Sequence, residues 1–107
     1  MINVEKVLKE NIERIKRDYK FENVEDIDSL LSTLPEEDYI FYLSYKLDYW
    51  LDKNVLYKVC TYFDTLVVYM SKNKIDFNKL NEACQIIITA AKYYVRGVLR
   101  VKEVYNL

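Results

Sequence analysis

Pro35-Glu36-Glu37-Asp38-Tyr39-Ile40-Phe41-Tyr42-Leu43-Ser44-Tyr45-Lys46-Leu47-Asp48-Tyr49-Trp50-Leu51-Asp52 is the stretch on which the fold turns. Pro35 disfavours a helical Leu34 and suits the first turn of a new helix. Glu36, Glu37 and Asp38 complement the positive end of that helix's dipole. Beyond them Ile40, Leu43, Leu47, Trp50 and Leu51 recur at spacings of three and four, which predicts a helix over 36–52. At about 100° per residue, Phe41, Tyr42, Tyr45 and Tyr49 fall opposite Ile40, Leu43 and Leu47, and Asp38, Asp48 and Asp52 flank that second stripe. A helix apolar on two sides is either central in a bundle or offers an aromatic surface to a partner.

Helical spacing continues on both sides of this segment. Val4, Leu8, Ile12, Ile15 and Tyr19 predict an amphipathic helix over 4–19, with Glu5/Lys9 and Glu10/Arg14 as supporting pairs at i,i+4. Asn23 is a suitable N-cap for a short helix whose stripe is Val24, Ile27, Leu30, Leu31 and Leu34. Leu56, Val59, Cys60, Phe63, Leu66, Val67 and Met70 predict a helix over 55–72, with Asp52 or Asn54 as its cap. No Gly or Pro divides it from the helix before it, so the two are either separated by a turn or run together through Asp52-Lys53-Asn54. Ser71–Lys74 is a polar connector, and Asp76 is a candidate N-cap for a last helix over 77–104. The core stripe of that helix is Leu80, Cys84, Ile87, Ala91, Val95 and Val98. Gly97 inside it either permits close packing or kinks it.

One Gly and one Pro in 107 residues leave too little turn chemistry for a strand-rich domain. The expectation is an all-α fold, a compact antiparallel bundle of four long helices plus one short helix, forming a single domain over 1–107. No run approaches the roughly 18–20 apolar residues of a membrane span, and the first twenty residues lack a signal peptide's apolar run. A cytoplasmic protein without membrane insertion is expected, and two cysteines do not make a disulfide framework. In an antiparallel hairpin turning near residue 74, Cys60 and Cys84 sit about 7 Å of helical rise out of register, which argues against a bridge.

The missing residues narrow the function. With no histidine the usual near-neutral acid–base and the commonest metal ligand are absent. Two cysteines cannot complete a four-ligand structural zinc site. One glycine cannot build a phosphate loop or a dinucleotide fingerprint. A non-enzymatic protein is expected, with no cofactor and no metal. Lys, Asn, Ile and Tyr are abundant, and their AT-rich codons fit an AT-rich genome, a virus or a mobile element.

Two surfaces remain as candidates. Phe41, Tyr42, Tyr45 and Tyr49, with Asp48 and Asp52, form a candidate protein interface, because tyrosine offers large contact area at low entropic cost. Homodimerisation through this face is one form of it. Lys92, Arg96 and Arg100, at i, i+4 and i+8 opposite the last core stripe, form a basic ladder for nucleic acid or an acidic partner. A solvated helix face is the simpler account of three cations on a chain of net charge −1. The chain is also polar along its length. Residues 22–52 carry nine acids against Lys46 alone, whereas residues 77–107 carry five cations against two acids. Such a dipolar chain either binds its own halves together or steers a partner.

Lys74-Ile75-Asp76-Phe77, following the 55–72 helix, resembles the Lys-apolar-x-Phe turn that enters the last helix in immunity proteins protecting producers of pediocin-like bacteriocins. The resemblance covers about the last half of the chain and has low specificity. It implies a helical bundle that binds another protein. The chain departs from that family in being slightly acidic where the family is basic, and in the extra short helix ending at Pro35. Stoichiometric binding of another protein, as a small inhibitor, immunity factor or assembly subunit, is the expected function. Nucleic-acid association through the basic ladder is the alternative.

Overall fold

A computed structural model describes residues 2–23, 26–27 and 33–104. Four α-helices dominate: α1 (Val4–Tyr19), α2 (Glu36–Lys53), α3 (Leu56–Lys72) and α4 (Glu82–Val104). The expected all-α bundle of four long helices is what forms. Most of the short helix expected after Asn23 lies outside the described residues. Within it, Ile27 and Leu34 are buried.

Local chemistry accounts for several of the helix ends. The Asn3 side chain caps α1 by accepting the Lys6 N–H at 3.0 Å. α1, α2 and α3 end where Lys20, Asn54 and Lys74 respectively take positive φ (58°, 56° and 51°). This is the left-handed conformation usually given to glycine at a helix C-terminus. At all three ends the next N–H reaches back along the helix: Phe21 to Lys16 O (2.8 Å), Val55 to Trp50 O (3.2 Å) and Ile75 to Met70 O (2.9 Å). Asn54 thus separates α2 from α3 without a glycine or proline. It ends α2 instead of capping α3, whose N-cap is Val55, without a side-chain hydrogen bond.

The last helix starts later than its stripe suggests. Asp76 caps only a 3-10 turn, Phe77–Lys79, by accepting the Asn78 N–H, and Leu80 is extended (ψ 158°). The Asn81 side chain then accepts the Ala83 N–H at 2.9 Å, and its carbonyl accepts the Gln85 N–H. Gln85 Nε2 ties the 3-10 turn to α4 by donating to Leu80 O at 2.8 Å.

α2 packs against α1, α3 and α4. Every residue from Asp38 to Ser44 is buried, and Leu47 joins them from one turn on. A helix covered on all sides must be apolar all round, which accounts for the second stripe in its first half. Leu8, Ile12 and Ile15 of α1, Val59 and Leu66 of α3, and Cys84, Ile87, Ile88 and Ala91 of α4 complete the core. On α3, Val67 faces outward although its spacing suggested the core.

A polar link fixes the α1–α2 register. Arg14 Nη2 donates to Asp38 Oδ1 at 2.7 Å, and the Tyr19 hydroxyl donates to Asp38 Oδ2 at 3.4 Å. The Asp38 hydrogen bond raises the Arg14 pKa, and Arg14 also meets Asp18 at 3.5 Å instead of pairing with Glu10. This joins the end of α1 to the start of α2, so the two helices run antiparallel. At the far end of α2 the Tyr94 hydroxyl donates to Asn54 Oδ1 at 2.6 Å. α4 therefore reaches the end of α2 at Tyr94, and its last ten residues extend about 15 Å farther.

Candidate functional site

The twofold character of α2 changes along its length. In its buried first half Phe41 is 3% exposed and Tyr42 0%. These two residues are core, which corrects their expected place on an interface: neighbouring helices cover both sides of α2 at this level. In the second half the cover is one-sided. Tyr45 and Asp48 are half-buried, Tyr49 is 45% exposed, and Asp52 is exposed.

These four residues come together with two from α1. Glu5, Lys9, Tyr45, Asp48, Tyr49 and Asp52 line one groove of about 250 Å³. Glu5 and Lys9 are the contribution that reading α2 alone missed. Antiparallel packing from the Arg14–Asp38 link sets the start of α1 beside the end of α2. Glu5 thereby faces a carboxylate pair that is already i,i+4 on α2.

The groove is acidic on balance, with Glu5, Asp48 and Asp52 against Lys9. Burial pushes the Asp48 carboxyl above its usual range, and the charges of Glu5 and Asp52 push it further. Among the described residues no lysine or arginine lies within ion-pair distance of Asp48. The aromatic rings at this end of α2 already associate with the chain's own lysines. Tyr49 stands edge-on to Trp50 at 4.9 Å, and Lys53 Nζ already lies 5.6 Å from the Tyr49 ring centre. Lys58 Nζ lies 5.3 Å from the Trp50 ring, so this end of the bundle presents several electron-rich faces to cations.

The basic ladder lies on a different surface. Lys92, Arg96 and Arg100 are all exposed and aligned along α4. Lys92 lines a groove of about 320 Å³ between α3 and α4, and Arg96 and Arg100 lie on the exposed face of α4 toward its end. The structure does not bring the ladder together with the Tyr45–Asp52 groove.

Among the described residues no group of three Cys, Asp or Glu side chains is placed to hold a metal ion. Both cysteines are free, Cys84 buried and Cys60 half-buried. Burial pushes the Cys84 thiol up to about 11, outweighing the opposing effect of nearby Ser44, so it is not a ready nucleophile. No described helix is long and apolar enough to cross a membrane. Comparison with family models, with curated proteins and with solved structures gives no match to this chain.

Proposed function

We propose that the chain is a non-enzymatic protein-binding module that acts stoichiometrically, and that its α1–α2 groove takes a basic segment of another protein. The observation that carries this is the convergence of Glu5, Asp48 and Asp52 with Tyr45 and Tyr49 in one groove, where Lys9 is the single cation. A lysine or arginine entering it would relieve the repulsion around the half-buried Asp48 and lie against the tyrosine rings. A half-buried ion pair at an interface attracts more strongly than an exposed one because the local dielectric is lower, and its net gain is what remains after both charges lose water. A small inhibitor, an immunity factor or an assembly subunit fits this description, and genomes rich in viral or mobile elements are a natural place to seek one.

The test is affinity capture from the native host with the parent chain and two double variants, Tyr45→Ala/Tyr49→Ala and Asp48→Asn/Asp52→Asn. A partner held by the groove is lost from both, while circular dichroism stays unchanged. It should be retained by an Arg96→Glu control. Equal capture by all four proteins refutes the proposal.

A further inference from the structure

α4 is covered on one side and bare on the other, and its bare side has two kinds of surface. Between α3 and α4, Phe63, Val67, Met70, Phe77 and Ile88 wall an open apolar groove. Tyr93 borders this groove and also the exposed face of the last turns of α4, which carries Leu99 and Val104. The groove and this helix face meet at Tyr93 and form one strip. From Ile88 to Val104 it is about 24 Å long, and it is straight because it follows a helix.

The apolar content of the strip is high for a surface. Tyr93 is 63% exposed, Leu99 57% and Val104 68%, and every residue from Leu99 to Val104 is exposed. Lys92, Arg96 and Arg100 run along it about 6 Å apart. None of the three is in an ion pair among the described residues, and Glu103 is the one carboxylate among those lining the strip.

From this pattern we infer that the strip docks an acidic amphipathic helix of another protein. The length suits about four helical turns, and an apolar stripe at i, i+4 and i+7 would lie over Val67, Tyr93 and Leu99 in turn. Carboxylates at i, i+4 and i+8 on the incoming helix repeat the spacing of the ladder, so each cation meets an acid in register. Nucleic acid suits the strip less well. The apolar walls offer a phosphate backbone nothing, and neutralising three phosphates gives weak, salt-sensitive binding. This docking does not depend on the α1–α2 groove, which has the opposite charge. With both, the protein would bridge a basic and an acidic partner.

A stapled helical peptide of about 16 residues, with leucines along one stripe and glutamates beside it, is the probe to titrate against the full chain. Binding is followed by fluorescence anisotropy and mapped by amide chemical shifts. The proposal expects saturable binding, with shifts clustered over 88–104 and 63–70. It also expects a loss of about tenfold or more in Arg96→Glu/Arg100→Glu and in Tyr93→Ala, and no change in Tyr49→Ala. Four results overturn it: no saturable binding at millimolar peptide, equal binding of a peptide with lysine in place of glutamate, tighter binding of a short DNA duplex at the same site, or concentration-dependent self-association of the chain that Arg96→Glu abolishes.

Discussion

Replacing Gly97 by alanine should make this protein more stable. Gly97 is the only glycine in the chain, and it lies inside α4, two turns before Val104. A Cβ added there meets nothing within 4 Å, and the residue does not have positive φ. Neither close packing nor backbone conformation therefore requires a glycine, and the alternative of a kink has no support in a helix that continues through it. What remains is propensity. Glycine in a helix interior costs about 1 kcal/mol relative to alanine, mainly because alanine restricts the unfolded chain. Because α4 passes the end of α2 near Tyr94, its last turns open more easily than the core and part of the gain is lost, which leaves roughly 0.5–1 kcal/mol. For a domain of this size that is an increase of about 2–8 °C in Tm. Urea and thermal unfolding followed by far-ultraviolet circular dichroism measure it, with an unchanged dependence on denaturant as the check that only stability moved. A loss of stability would refute the reasoning, because it would mean that Gly97 has neighbours in the native state. If that loss grew with protein concentration, the neighbour would be a second copy.

Two further substitutions test the polar architecture. Asp38→Ala removes the acceptor of a 2.7 Å hydrogen bond from Arg14 and a favourable charge at the start of α2. It should cost about 1.5–3 kcal/mol, less than a fully buried pair because Arg14 keeps some solvent and Asp18, and a cost near zero in denaturant titrations would contradict the proposed register lock. Asp48 has its folded pKa raised above the ordinary 3.8, so the folded state binds that proton more tightly than the unfolded state. Its unfavourable contribution is then absent below pH 3.8 and complete only above the raised value. Asp48→Asn should accordingly be more stable than the parent at neutral pH, with the advantage fading as pH falls through that window. An advantage that persists or grows under acid conditions would reverse the assignment.

Apolar spacing, with Pro35 and the flanking polar residues, placed the bounds of α1, α2 and α3 to within a residue, but it left open whether α2 and α3 were separate helices, which the left-handed turn at Asn54 decides. The start of α4 was less legible. Asp76 and Asn81 are both acceptable caps five residues apart, and only the path of the chain between them, a 3-10 turn followed by an extended Leu80, selects the second. The scarcity of glycine correctly indicated few connections. It did not show how the helices stop: Asn54 is a residue suited to the left-handed position, but Lys20 and Lys74 have no such preference, and Phe21 and Ile75, the residues after them, pack on the core.

From the sequence alone came the helical class, the places of the long helices, the absence of histidine chemistry and the separate acidic and basic stretches, all of which depend on residue identity and short-range spacing. Tertiary structure alone decided which of two apolar sides of α2 meets water, and at which level. Periodicity describes one helix at a time and says nothing of how many neighbours surround it. Phe41 and Tyr42 are enclosed because three helices meet around the first half of α2, while Tyr45 and Tyr49 emerge where that enclosure opens and α1 brings Glu5 beside Asp48 and Asp52.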